Sequence, residues 1–171
     1  MKKTVFLFAS LFVMVLATQG VNAQNQVGAT ASATATIVEA LSITKINDLK
    51  FGKIIAASTE GKVQIQTDGS RTIASGDVVL FNTGSDHQAA SFEVSGTAGR
   101  TYSLDFPSTI SLTGPNGSTP MTIEGFVHSA TGTLSTTTGK ETFKVGATLK
   151  VGANQAAGQY IGTFSVTAAY N

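Results

Sequence analysis

The chain closes with Gly158-Gln-Tyr-Ile-Gly-Thr-Phe-Ser-Val-Thr-Ala-Ala-Tyr-Asn171, and this stretch decides the fold. Tyr160, Gly162, Phe164, Val166, Ala168 and Tyr170 stand on its even positions. Ile161, Thr163, Ser165, Thr167 and Ala169 stand between them. A period of two places the first set on one face of a β-strand and the second set toward water. Chain ends fray unless a neighbour ties them down. An aromatic-striped strand at the terminus therefore needs cover, from its own domain or from another chain.

Working outward, the same period recurs. Phe143, Val145, Ala147, Leu149 and Val151 alternate with polar or small residues, and Tyr102, Leu104 and Phe106 share a face that Pro107 ends. Further strands are read at Leu41 to Ile46, Leu49 to Ile55, Lys62 to Thr67, Arg71 to Ala74, Ser91 to Ser95, Ile110 to Leu112 and Met121 to Val127. Asp68-Gly69-Ser70 and Gly114-Pro115-Asn116-Gly117 are turn signals between them. Val78-Val79-Leu80-Phe81 is apolar without alternation, which predicts a strand buried on both sides or one carrying a bulge. Val27 to Ile37 alternates with an apolar face made mostly of alanine and predicts a long first strand. No helical stripe follows the first twenty-odd residues. Seven to ten short strands at regular spacing indicate an all-β fold, an antiparallel two-sheet immunoglobulin-like sandwich, with a closed barrel as the alternative.

The N-terminus predicts an address. Met1-Lys2-Lys3 is basic, Val5 to Ala17 is apolar apart from Ser10, and Val21-Asn22-Ala23 ends in a small residue. The apolar run is shorter than the ~20 residues of a membrane-spanning helix. It reads as a signal peptide over 1–23, cleaved to leave Gln24 first, and thus as export to the periplasm, cell surface or medium. The remaining 171 − 23 = 148 residues suit one domain, with no integral membrane segment. Two of the eleven basic residues lie in the leader, so the remainder carries 9 − 10 = −1, which gives no electrostatic reason to bind nucleic acid. The chain has no cysteine, so its core must hold without disulfides.

Catalytic and metal chemistry find little to stand on. His87 follows Asp86 in a polar loop, and His128 has no partner at ligand spacing. Asp68, Asp77, Asp86 and Asp105 sit as turn residues do, without a calcium-loop pattern. No nucleophile elbow surrounds any serine. Glu93 and Asp105 read as cross-strand surface charges, since the chain has no tryptophan to wall a sugar cleft. Arg71 and Arg100 read as solvated beside turns. The expectation is a protein that is not an enzyme, with no cofactor and no metal.

Two stretches carry a resemblance. Ala33 to Lys45 followed by Asp48-Leu-Lys-Phe-Gly52, and Val145 to Asn171, resemble the opening and ending of the bacterial secreted domain-of-unknown-function family DUF4402, which has no established activity. The chain is also similar, more widely, to chaperone–usher pilins and spore-coat subunits, which end in a strand with Gly and a penultimate aromatic residue at the places of Gly158 and Tyr170. That similarity implies a fold short of one strand, completed by a neighbour's N-terminal segment, with self-assembly or chaperone contact through edge strands. Val27 and Ile37 would then bound the donated segment, within 24–38, and Gly158, Tyr160, Phe164, Val166 and Tyr170 would line the receiving strand. The pilin disulfide is missing. The alanine face is also weak. At ~0.8 kcal/mol per methyl-sized group and ~2 for Val27 or Ile37, it supplies at most about 7 kcal/mol before entropy. That weakness favours Val27 to Ile37 as the first strand of its own domain. The functional expectation is an exported, non-enzymatic, fimbria-like or surface structural subunit, with a secreted or periplasmic carbohydrate-binding or adhesion sandwich as the alternative.

Overall fold

A computed structural model describes residues 27–81 and 86–171; the predicted signal segment lies outside the described residues. The chain divides into two units, 1–35 and 36–171. Of the first, residues 27–35 are described, and all are exposed and in no strand. The second is all-β and antiparallel.

Its strands are β1 (Ser42–Asn47), β2 (Lys50–Phe51), β3 (Lys53–Ile55), β4 (Gly61–Ile65), β5 (Arg71–Ser75), β6 (Val79–Phe81), β7 (His87–Gln88), β8 (Ala90–Ser95), β9 (Tyr102–Asp105), β10 (Thr109–Leu112), β11 (Met121–His128), β12 (Lys140–Val151) and β13 (Thr167–Tyr170). The main sheet runs β1-β8-β12-β11-β10, with β4 also on β12 and β5 on β4. β12 is its spine. Residues 140–145 pair with β8 and residues 147–151 pair with β4. Gly146 sits at the change of partner, where a Cβ would overlap the Ile65 carbonyl oxygen, so only glycine fits.

Two apolar clusters line the inner face of this sheet. In one, Val63, Ile65, Ile123, Ala147, Leu149 and Val151 meet Phe51 and Val78. In the other, Phe92, Val94, Phe143 and Val145 meet Tyr102, Leu134 and Val166. The cover over the second cluster is the β9–β13 pair, in register Thr167↔Asp105 to Tyr170↔Tyr102. The β2–β7 and β3–β6 pairs stand beside the first. Leu134, in a loop of small residues, is 1% exposed and plugs the second cluster.

Most strand readings hold, with shifted ends. Asp68 Oδ1 accepts from the Ser70 amide at 2.8 Å, which closes the β4–β5 turn as the Asp-Gly-Ser signal predicts. Four readings need correction. The closing strand read over Gly158 to Asn171 is formed only at Thr167–Tyr170, with an isolated bridge at Ile161. The long first strand is not formed, because residues 27–41 belong to no strand. An alanine face offers too little burial to offset the order a strand requires. Val78–Phe81 is not buried on both sides. Val78 and Leu80 turn inward, while Val79 and Phe81 remain about half exposed on a two-stranded ribbon. Arg71 is not solvated. Its guanidinium donates to the carbonyls of Phe51 (2.8 Å), Lys53 (3.2 Å) and Phe81 (3.2 Å), binding three ribbon strands together.

Candidate functional site

The C-terminal segment keeps its period of two. Tyr160, Phe164, Ala168 and Tyr170 are half-buried and Val166 is buried, while Ile161, Thr163, Ser165, Thr167 and Ala169 are exposed. Phe164 packs edge-on against Phe92 (centroids 6.2 Å) and tilted against Phe126 (5.1 Å). The sequence places that face correctly, and this chain itself supplies part of its cover. Gly162 is exposed, and a Cβ on it would overlap the Ser111 carbonyl oxygen.

Hydrogen bonding tells a different story from side-chain packing. Thr113 and Ile161 exchange two backbone bonds at 2.9 Å, and Thr167–Tyr170 pair with β9. Between them, residues 162–166 join no ladder. Nor does β13 have a ladder partner opposite β9 among the described residues. The segment is therefore secured at both ends and open along its length.

Two tyrosines do the securing. Tyr160 Oη donates to the Ala156 carbonyl (2.9 Å) and accepts from Gln155 Nε2 (2.8 Å). Its ring fills the space where Gly114 lacks a Cβ, while Gly158, at φ 151°, lies against Pro115 where a Cβ would overlap that ring. Tyr170 Oη accepts from the Thr97 amide (2.8 Å) and donates to the Glu39 carbonyl (3.0 Å), and the Glu39 amide donates to Thr97 Oγ1 (2.9 Å). Sequence reasoning named Tyr160, Tyr170 and Gly158. It missed Glu39, Gly96, Thr97, Gly114 and Gln155, whose seats form only when distant segments meet.

Val27 and Ile37, the other predicted site residues, are 89% and 96% exposed. Open edges occur elsewhere. β1 carries a bulge between Lys45 and Asn47, a common guard of an exposed edge, and β5 presents Thr72, Ile73 and Ser75.

Many polar groups are engaged within the fold, although Asp86 Oδ1, His87 Nδ1 and Ser118 Oγ are buried with no hydrogen-bond partner among the described residues. Glu141 Oε2 accepts from the Tyr102 hydroxyl (2.6 Å) and Oε1 accepts from the Thr131 amide (2.6 Å), pinning the loop that carries Leu134. Burial, then the Glu141 hydrogen bond and charge, push the Tyr102 hydroxyl well above its usual range. Burial raises Glu141, but hydrogen bonds from Tyr102 and Thr131 outweigh it and hold the carboxyl low. Burial likewise opposes ionisation of Asp86. The Lys53 amide (3.2 Å) and the Arg71 charge prevail and lower it. His87 Nδ1 stands 3.7 Å from Asp86 Oδ1, and His128 stacks on Phe106 at 5.3 Å. Glu93 meets Lys140 (2.8 Å) rather than Asp105. Among the described residues no three His, Asp or Glu converge as metal ligands, and no helix is long and apolar enough to cross a membrane. Two open clefts of about 340 and 370 Å³ have no Phe, Tyr or Trp in their walls, and His87 is the one ring that lines either of them.

The model of the domain-of-unknown-function family DUF4402 matches residues 41–170, and the chain belongs to that family. No curated protein and no solved structure matches it.

Proposed function

We propose that this member of the DUF4402 family is an exported, non-enzymatic structural subunit with an immunoglobulin-like sandwich, which assembles by strand addition. In this reading residues 1–23 are removed on export to the periplasm, cell surface or medium. The segment 24–38 of one copy then lies along the open edge of the C-terminal segment in the next, as in a fimbria.

The observation that carries the proposal is a surplus matched to a shortage. Residues 27–41 are in no strand, although the apolar residues of 27–37 alternate, while among the described residues 162–166 and the outer edge of β13 have no ladder partner. The lengths agree. At ~3.3 Å per residue, the segment 27–38 and the segment 161–170 both span roughly 30–40 Å. Backbone pairing would supply affinity, and Val27, Ile37 and the intervening alanines would supply a narrow apolar face. Small residues suit this edge because Phe164, Val166 and Tyr170 already occupy much of the space.

The test uses the chain from Gln24 and a second chain that begins at Glu39. With a synthetic peptide of residues 27–38, the shorter chain should form a complex and unfold at higher temperature. The longer chain should sediment as oligomers whose size grows with concentration. A shorter chain indifferent to the peptide, together with a longer chain monomeric at every concentration, would overturn strand addition.

A further inference from the structure

We propose that the Tyr170 hydroxyl is a latch between the two elements of that assembly: it holds the root of the N-terminal segment, residues 36–40, and a strand added to the β13 edge opens it. The inference rests on the strand-addition reading but stands on bonds of its own.

Three groups form a closed ring. The Glu39 amide donates to Thr97 Oγ1, the Thr97 amide donates to Tyr170 Oη, and Tyr170 Oη donates to the Glu39 carbonyl. Among the described residues these are the hydrogen bonds that hold 36–40, every residue of which is exposed. The root is thus tied at one residue, and the tie ends on the penultimate residue of the chain. The seat is built for that hydroxyl. A Cβ on Gly96 would overlap Tyr170 Oη and crowd Leu41 Cδ1, so glycine is required for the tyrosine to reach across.

The latch also sits where it would sense occupancy. β13 has β9 on one side and comes near β1 without forming a ladder. Glu39 lies just ahead of β1, so the Tyr170–Glu39 bond spans the approach between the two elements. A strand that pairs with residues 167–170 on the open edge must enter that approach. It competes for the space the bond crosses, and Tyr170 must give up Glu39 for the added strand to pair along the full edge. A copy that has received a strand would then hold its own donor segment more loosely than a free copy does. Such coupling is reciprocal, so loosening the root should also ease uptake of the added strand.

The chain has no cysteine, so Ile37→Cys carries a spin label at one site, in a residue 96% exposed. The labelled chain from Gln24, at a dilution where it is monomeric, is examined with and without the 27–38 peptide. Amide exchange at Thr97 is followed in parallel. The latch predicts a restrained label that becomes mobile on peptide binding. In Tyr170→Phe the label should be mobile before peptide is added, Thr97 exchange should be about fivefold to tenfold faster, the scale of one lost hydrogen bond, and peptide should bind more tightly. Gly96→Ala, which displaces the hydroxyl instead of deleting it, should release the label in the same way. Thermal unfolding shows whether either variant has lost its fold. Peptide binding without any change in the label, or a Tyr170→Phe label as restrained as the parent's, overturns the latch and leaves strand addition standing. Failure of the peptide to bind overturns both.

Discussion

Shortening Phe164 to alanine should cost far more than shortening its neighbour three positions back, Ile161, although isoleucine ranks among the most readily buried residues. A fully buried Phe→Ala change costs ~3–5 kcal/mol. Phe164 is half-buried, so about 2 kcal/mol is the share from burial, and its ring pairs with Phe92 and Phe126 add ~0.5–1 kcal/mol each. The sum is about 3 kcal/mol. Ile161 is 60% exposed, and its two bonds with Thr113 are made by the backbone and survive truncation. Ile161→Ala should therefore fall within ~0.5 kcal/mol of the parent. Urea unfolding followed by circular dichroism measures both, with the slope expected to be unchanged. In thermal unfolding the Phe164 variant should melt roughly 10 °C lower, at ~3 °C per kcal/mol for a domain of this size. Equal losses at the two positions would refute the face assignment, and with it the claim that the segment holds strand geometry where it has no ladder.

Other outcomes follow from the buried polar pair and the spine. Glu141 has its carboxyl held low in the folded state, so its contribution is present above the unfolded carboxylate range and is lost as pH falls through the depressed value; Glu141→Gln should flatten acid unfolding measured below about pH 4.5. Tyr102 is raised, so its contribution is full below about pH 10 and is lost as pH climbs; Tyr102→Phe should remove that part of the alkaline loss in the same melting assay. Gly146→Ala should cost at least ~2 kcal/mol in urea unfolding, since the added methyl meets the Ile65 carbonyl of a paired strand that cannot move aside.

What the sequence discloses and what it hides divide along a physical line. Periodicity reports which residues a strand would bury, and at Tyr160 to Tyr170 and Phe143 to Val151 that information is nearly sufficient. It does not report whether a partner edge exists. Val27 to Ile37 alternates as well as any segment here and yet joins no strand, because an alanine face gains little from burial. Val79 and Phe81 look like core residues by composition, but they are exposed because their strand sits in a two-stranded ribbon. The tyrosine seats and the Arg71 clamp join residues far apart in the chain, such as Tyr170 with Glu39, and no local pattern marks such meetings. Tyr102 and Glu141 are hidden for the same reason.

The pairing of β13 with β9 has a consequence in time. Phe92, Val94, Tyr102, Leu134, Phe143 and Val145 are all synthesised before Val166 and the strand that covers them. Chains emerge at ~5–20 residues per second, and local structure forms as they do. The second cluster, however, stays uncovered until residues 166–170 have emerged and can pair with β9. It cannot close before then, and any chain stopped short of Thr167 is left with an open apolar face.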